Sequence, residues 1–211
     1  MKKKLFIILV ILLAAIGGFF YWLWQKPAPE GPQPPTLFSK EDYQIEERED
    51  GKYILIDKIG FSAKIPDGWT IEKQKTSDIE PQYWVDISSP DSKIENSILV
   101  KECGISIVAG IAEENYEELK QEIEILRENP AIEPKEISSL YEDYELEIIK
   151  VKNYFALKWI APENKLIGQA RGVDIPLLEN KLLSLDTLTP PGYKEKCLPI
   201  WEEFLENIEI K

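Results

Sequence analysis

The strongest constraint in this chain is Leu5–Trp24, twenty consecutive uncharged and almost wholly apolar residues preceded by Lys2, Lys3 and Lys4. A helix of that length rises about 30 Å, the thickness of a bilayer's hydrocarbon core, so the run predicts a single transmembrane helix. Its far end carries Phe19, Phe20, Tyr21, Trp22 and Trp24, and such aromatics favour the membrane–water interface. The lysines put the N-terminus on the cytoplasmic side and everything after Trp24 outside. The competing reading is a cleaved secretory signal, whose apolar core is about 7–15 residues long. Ala15-Ile16-Gly17 is the nearest small-x-small triplet, but the apolar run continues for seven residues beyond it. Length favours a retained anchor.

Beyond the anchor the chain divides by composition. Lys26–Pro35 has five prolines in ten residues, which denies it a helix or central strand and favours extended polyproline II, a stalk of up to about 30 Å. Thr36–Asp50 is polar, with Glu46, Glu47, Glu49 and Asp50 close together, and reads as a loose lead-in. The expected organisation is therefore 1–25 lysines and anchor, 26–50 stalk and lead-in, and 51–211 an extracytoplasmic domain. The chain from Pro27 to Lys211 is long enough for one core and too short for two.

The chain contains no histidine. Ser-His-Asp and Cys-His catalysis, histidine-ligated zinc or haem, and histidine pH sensing are excluded. Removing Lys2, Lys3, Lys4 and Lys26, which have no acidic counterpart before Pro27, takes the formal charge from −13 to −17 for the outer part. Such a surface repels nucleic acid and anionic lipid and suits a basic partner, or simply solvation. No glycine loop shaped for phosphate is present, and Asp91, Glu95 and Asn96 lack the spacing of a calcium loop, so neither cofactor nor metal is expected.

Ordered structure is expected from about Tyr53. Alternation of apolar and polar residues predicts strands over Tyr53–Lys58, Phe61–Ile65, Trp69–Lys73 and Tyr83–Ile87. Ile98–Ile111 predicts one long strand, with Cys103, Ile105, Ile107 and Ala109 on its apolar parity. A helix comes next, with Asn115 as cap, Tyr116, Leu119, Ile123 and Leu126 as one stripe, and Asn129-Pro130 as its end. Asp143, Glu145 and Glu147 alternate with Tyr144, Leu146 and Ile148, giving a strand with one acidic face. Tyr154–Ile160 and Lys165–Val173 predict a hairpin. Ile175–Leu188 fits either a short helix or a packed loop. The last helix is expected over about Leu198–Asn207, with Pro199 in its first turn. This order predicts an α+β domain, an antiparallel β-sheet flanked by helices, preceded by the single N-terminal transmembrane helix.

Gly60-Phe61-Ser62, with Ile65-Pro66-Asp67-Gly68-Trp69 after it, resembles the opening of PsbP-like domains of the Mog1/PsbP superfamily. Ile87-Ser88-Ser89-Pro90-Asp91, the helix after Asn115, and the closing helix with Ile208-Glu209-Ile210 come in the same order. The resemblance covers roughly Tyr53–Lys211. Ile65 stands where that pattern often has tyrosine. It implies a central antiparallel sheet between helices and, for most similar proteins, a non-enzymatic accessory or binding role. No functional residue carries over.

Two constellations stand out. Cys103 lies on the apolar parity of its strand. Cys197 joins the Ile200, Phe204, Ile208 stripe if the last helix extends one turn back. Both then face one sheet–helix interface, and outside the cytoplasm they are expected to form a disulfide; two buried free thiols are the alternative. Asp143, Glu145 and Glu147 are a candidate acidic binding face for a basic partner or divalent cation, against the alternative of a solvated sheet face. The expected function is a membrane-tethered, non-enzymatic accessory domain that binds another envelope protein. Alternatives are a small-ligand domain with an apolar pocket between sheet and helices, and a carboxylate hydrolase.

Overall fold

The computed structural model describes residues 36–75, 83–95 and 98–211. The anchor Leu5–Trp24 and the stalk Lys26–Pro35 lie outside these residues, and among them no helix is long and apolar enough to cross a membrane. The described residues form one compact unit.

The chain begins with β1 (Thr36–Leu37), β2 (Gln44–Arg48), β3 (Gly51–Ile56), β4 (Phe61–Lys64), β5 (Thr70–Lys75) and β6 (Tyr83–Ser88). A two-stranded ribbon of β7 (Lys93–Glu95) and β8 (Ile98–Lys101) leads into β9 (Gly104–Ile111) and helix α1 (Glu113–Glu128). A short helix α2 (Pro134–Ile137) precedes β10 (Glu145–Val151), β11 (Tyr154–Ile160), β12 (Gln169–Pro176) and β13 (Lys181–Thr189). Helix α3 (Lys194–Asn207) and β14 (Glu209–Ile210) close the chain.

The large sheet is antiparallel throughout, in the order β10-β11-β12-β13-β9-β6-β5, with β1 on the far end of β9. A second antiparallel sheet runs β14-β4-β3-β2. One face of the large sheet packs against α1, whose Leu119, Ile123 and Leu126 meet Leu157, Leu146 and Ile148. The main core lies on the other face. There Val85, Ile107, Leu185 and Val173 meet Ile54, Ile56 and Phe61 of the small sheet and Trp201, Phe204 and Ile208 of the α3 segment. The architecture is antiparallel α+β, as the patterning predicts.

Five local expectations are corrected. The lead-in is not loose: Tyr43 is fully buried, and β2 pairs with β3 along its whole length. The Tyr43 hydroxyl accepts from the Ala109 N–H at 3.1 Å and can donate to the Tyr83 carbonyl at 3.0 Å. Burial pushes its pKa up to about 12. Tyr43→Phe, which strips the Ala109 N–H of its partner, is expected to cost about 1–2 kcal/mol in a denaturant titration. An unchanged midpoint would mean that the lead-in does not pin the core.

The strand expected over Ile98–Ile111 breaks at Glu102, whose φ of 66° leaves the extended region. Ile175–Leu188 is neither helix nor loop. It is the end of β12 and most of β13, joined by a tight turn at Glu179 and Asn180, with φ of 60° and 57°. Two successive positive φ values are the mark of the hairpin turn whose twist matches the strands. Both helices begin earlier than expected. Glu113 opens α1, which puts Asn115 inside the helix, and Lys194 opens α3, which puts Pro199 in its interior. Pro199 and Glu195 are both exposed, so the Glu195 carbonyl that loses its helical partner can meet water. The β11–β12 hairpin also resumes later, at Gln169, after a loop in which the Asn164 side chain accepts from the Leu166 N–H at 2.8 Å.

Candidate functional site

The earlier start of α3 brings Cys197 to the sheet. Cys103, in the residue pair between β8 and β9, is bonded to it with Cα atoms 5.4 Å apart, and each is 2% exposed. Their chain neighbours reinforce the link, since the Lys196 ammonium pairs with the buried Glu102 carboxylate. Sequence parity pointed to the cysteines. The Glu102–Lys196 pair had no such signal, because it depends on the backbone reversal at Glu102.

The acidic residues singled out in sequence fall at the β10 edge. Asp143 sits in the turn before β10, Glu145 and Glu147 lie on the strand, and all three are exposed. Glu147 is engaged by Lys158 of the neighbouring strand at 2.8 Å. Glu145 stands directly opposite Ile160, which in turn stands opposite the buried Arg171.

A more unusual group lies on the opposite face, partly under α1. Directly paired residues of antiparallel strands project on the same side. The register therefore sets Trp159, Gly172, Asp186, Ser106, Asp86 and Glu72 in one row across β11, β12, β13, β9, β6 and β5. Asp174 and Ser184, paired with each other, occupy the next row on that face.

Two carboxylates of this face have matched partners. Asp174 accepts from the Trp159 indole N–H at 2.9 Å and from the Ser184 hydroxyl. Asp86 accepts from the Ser106 hydroxyl at 2.6 Å and from Trp84. Asp186, between them, has a buried Oδ1 without a hydrogen-bond partner. Burial, with the Asp174 charge adding to it, pushes the Asp186 carboxyl up to about 7. Burial also raises Asp174 and Asp86, against the pull of their hydrogen bonds. Glu122 of α1 is lifted to about 7 by burial and by the charge of Glu118, and accepts from the Tyr141 hydroxyl at 3.3 Å.

Such groups can hold protons near neutral pH and can receive hydrogen bonds from a cationic group. Among the described residues no three histidine, cysteine, aspartate or glutamate side chains are grouped to hold a metal ion. Gly172 makes this face possible. A Cβ there would stand 2.3 Å from Asp186 Oδ1 and 2.5 Å from the Trp159 ring. Gly172→Ala is therefore expected to cost about 1–3 kcal/mol through overpacking, measured as a lowered denaturation midpoint. A wild-type midpoint would show that the ring and carboxylate move aside freely.

A groove of about 570 Å³ lies elsewhere, between the small sheet, the 65–67 turn and the outer side of α3. Ile65, Phe204 and Tyr53 give it apolar and aromatic walls, and Asp50, Asp67, Glu203 and Glu209 contribute four carboxylates against the single ammonium of Lys64. Lys64 faces Asp50 at 3.5 Å, and Tyr53 donates to the same carboxylate at 2.7 Å. The groove includes Ile65, Pro66 and Asp67 of the motif that carries the family resemblance.

No family model matches the chain, and no curated protein matches it. Among solved structures, the chain is similar to the cyanobacterial PsbP (CyanoP) of Synechocystis sp. PCC 6803, at 12% identity and a TM-score of 0.37, covering 87% of this chain and 100% of that one. It is also similar to a protein of Bacteroides thetaiotaomicron VPI-5482, at 15% identity and a TM-score of 0.36. That match covers 72% of this chain, which spans 45% of the Bacteroides protein's length.

Proposed function

We propose that this chain is a membrane-tethered, extracytoplasmic accessory module with a PsbP-like domain, and that it binds another envelope protein rather than catalysing a reaction. The groove between α3 and the small sheet carries this reading. It joins exposed carboxylates to aromatic walls, a composition suited to gripping a partner's side chains. The length of Leu5–Trp24 and its lysine flank support the tether. The buried Cys103–Cys197 bond supports an oxidising compartment. The motif residues of Gly60–Trp69 support the PsbP-like assignment. Tethering would raise the local concentration of module and partner in one membrane, so that modest affinity suffices.

The test is affinity purification of the full chain after mild cross-linking in its native membranes. A reproducible protein adduct, absent from a control lacking 36–211, is the expected result. Recovery of no protein, with a small molecule retained in native mass spectra, would replace this reading with that of a ligand-binding envelope domain.

A further inference from the structure

We infer that the groove takes a basic peptide segment, with a lysine or arginine side chain seated between Asp67 and Glu203. This deepens the accessory reading above and rests on it. Charge points to a cationic occupant. Of the four carboxylates lining the groove, Asp50 is already committed to Lys64 and Tyr53, and Glu209 is within 3.4 Å of the Ser62 hydroxyl. Asp67 and Glu203 have no ion-pair or side-chain hydrogen-bond partner among the described residues, although both line the same concavity. The nearby cation Arg48 is occupied, since it pairs with Glu46 at 2.7 Å and stacks over the Tyr53 ring at 4.1 Å.

The walls fit the same occupant. Tyr53 and Ile200 line the groove as half-buried side chains above the buried Phe204 and Ile65, and give it an apolar base. Lysine and arginine lay an aliphatic stem on such a base while the charged head meets carboxylates. A volume of about 570 Å³ accommodates one or two side chains, not a folded domain. An acidic or phosphorylated segment would meet four carboxylates and is excluded by repulsion.

The test uses the full chain in detergent micelles and a fluorescein-labelled Lys-Ala-Arg-Ala-Lys-Ala peptide, with fluorescence anisotropy read at low and physiological salt. Asp67→Asn combined with Glu203→Gln is expected to weaken binding at least tenfold and to flatten its salt dependence. Glu117→Gln combined with Glu128→Gln, both exposed on α1 across the large sheet from the groove, is expected to leave it within twofold. Both double variants change exposed or half-exposed side chains, and unchanged thermal unfolding confirms that each is folded. Equal binding by wild type and the groove variant would overturn the inference, as would failure of the wild type to bind the peptide. Neither result touches the accessory reading. That reading fails separately if cross-linking in native membranes recovers no protein.

Discussion

Replacing Cys103 and Cys197 together with alanine lowers the unfolding free energy of the full chain by about 2–4 kcal/mol. The bond spans 94 residues of sequence, so opening it releases a long loop in the unfolded chain. The chain-entropy model puts the upper limit for such a loop near about 4.7 kcal/mol. Two further effects act in the native state. Both sulfurs lie in a buried interface, so alanine leaves unfilled space between α3 and the start of β9. The Glu102–Lys196 pair persists in the variant and keeps the two segments adjacent, which moderates the loss. A denaturant titration reads the difference as a lowered midpoint, with a steeper slope because the unfolded chain without the bond exposes more surface. A midpoint equal to that of the wild type would mean that the bond joins segments already held by packing alone.

Asp186→Asn makes the protein more stable at pH 8 by roughly 2–4 kcal/mol and leaves it near wild type at about pH 4. The ordinary value for an aspartate is 3.8, and burial beside Asp174 brings Asp186 to about 7 in the folded chain. The folded state therefore holds this proton more tightly than the unfolded one. Its contribution to stability is complete below about pH 4 and is lost as pH rises through about 7. Asparagine removes that loss and can also donate a hydrogen bond within the row. Glu122 shifts in the same direction, so the variant should retain part of the wild-type slope. The measurement is thermal unfolding of wild type and variant from pH 4 to pH 8. Curves that run parallel across this range would show that Asp186 titrates like a solvated carboxylate.

How far the sequence could lead is clear from particular elements. The alternations at Phe61–Ile65, Tyr83–Ile87 and Tyr154–Ile160 each locate a strand, because half-buried strands carry a period of two. The stripe Tyr116, Leu119, Ile123 and Leu126 marks the buried side of α1 for the same kind of reason. Turns were harder to read. Glu179-Asn180 lacks the glycine that usually announces a hairpin turn with positive φ, and leucines on both parities of β13 hide its alternation. Glu102 likewise gives no local signal of its left-handed backbone. Tyr43 lies among charged residues, and only the distant Ala109 reveals why it is buried.

The acidic face shows the limit most plainly. Asp86, Asp174 and Asp186 each fall on the polar parity of a strand, which in sequence reads as a solvated face. Their proximity depends on register across the strands of the large sheet, and their burial depends partly on α1 crossing above them. Neither is a local property. By contrast, Asp143, Glu145 and Glu147 are close in sequence and conspicuous, and they remain on an exposed edge. The cysteines were legible because parity on a strand and periodicity on a helix both point inward, and a shared interface is a short step from there.

The proposed function puts the Cys103–Cys197 domain outside the cytoplasm, tethered by Leu5–Trp24. The most direct test of that placement is intact-mass measurement of the full chain taken from native membranes and alkylated before and after reduction. Membranes should be harvested under immediate thiol blocking, so that no bond forms during preparation. The expected result is no alkylated cysteine before reduction and two afterwards. Two alkylated cysteines before reduction would contradict the placement.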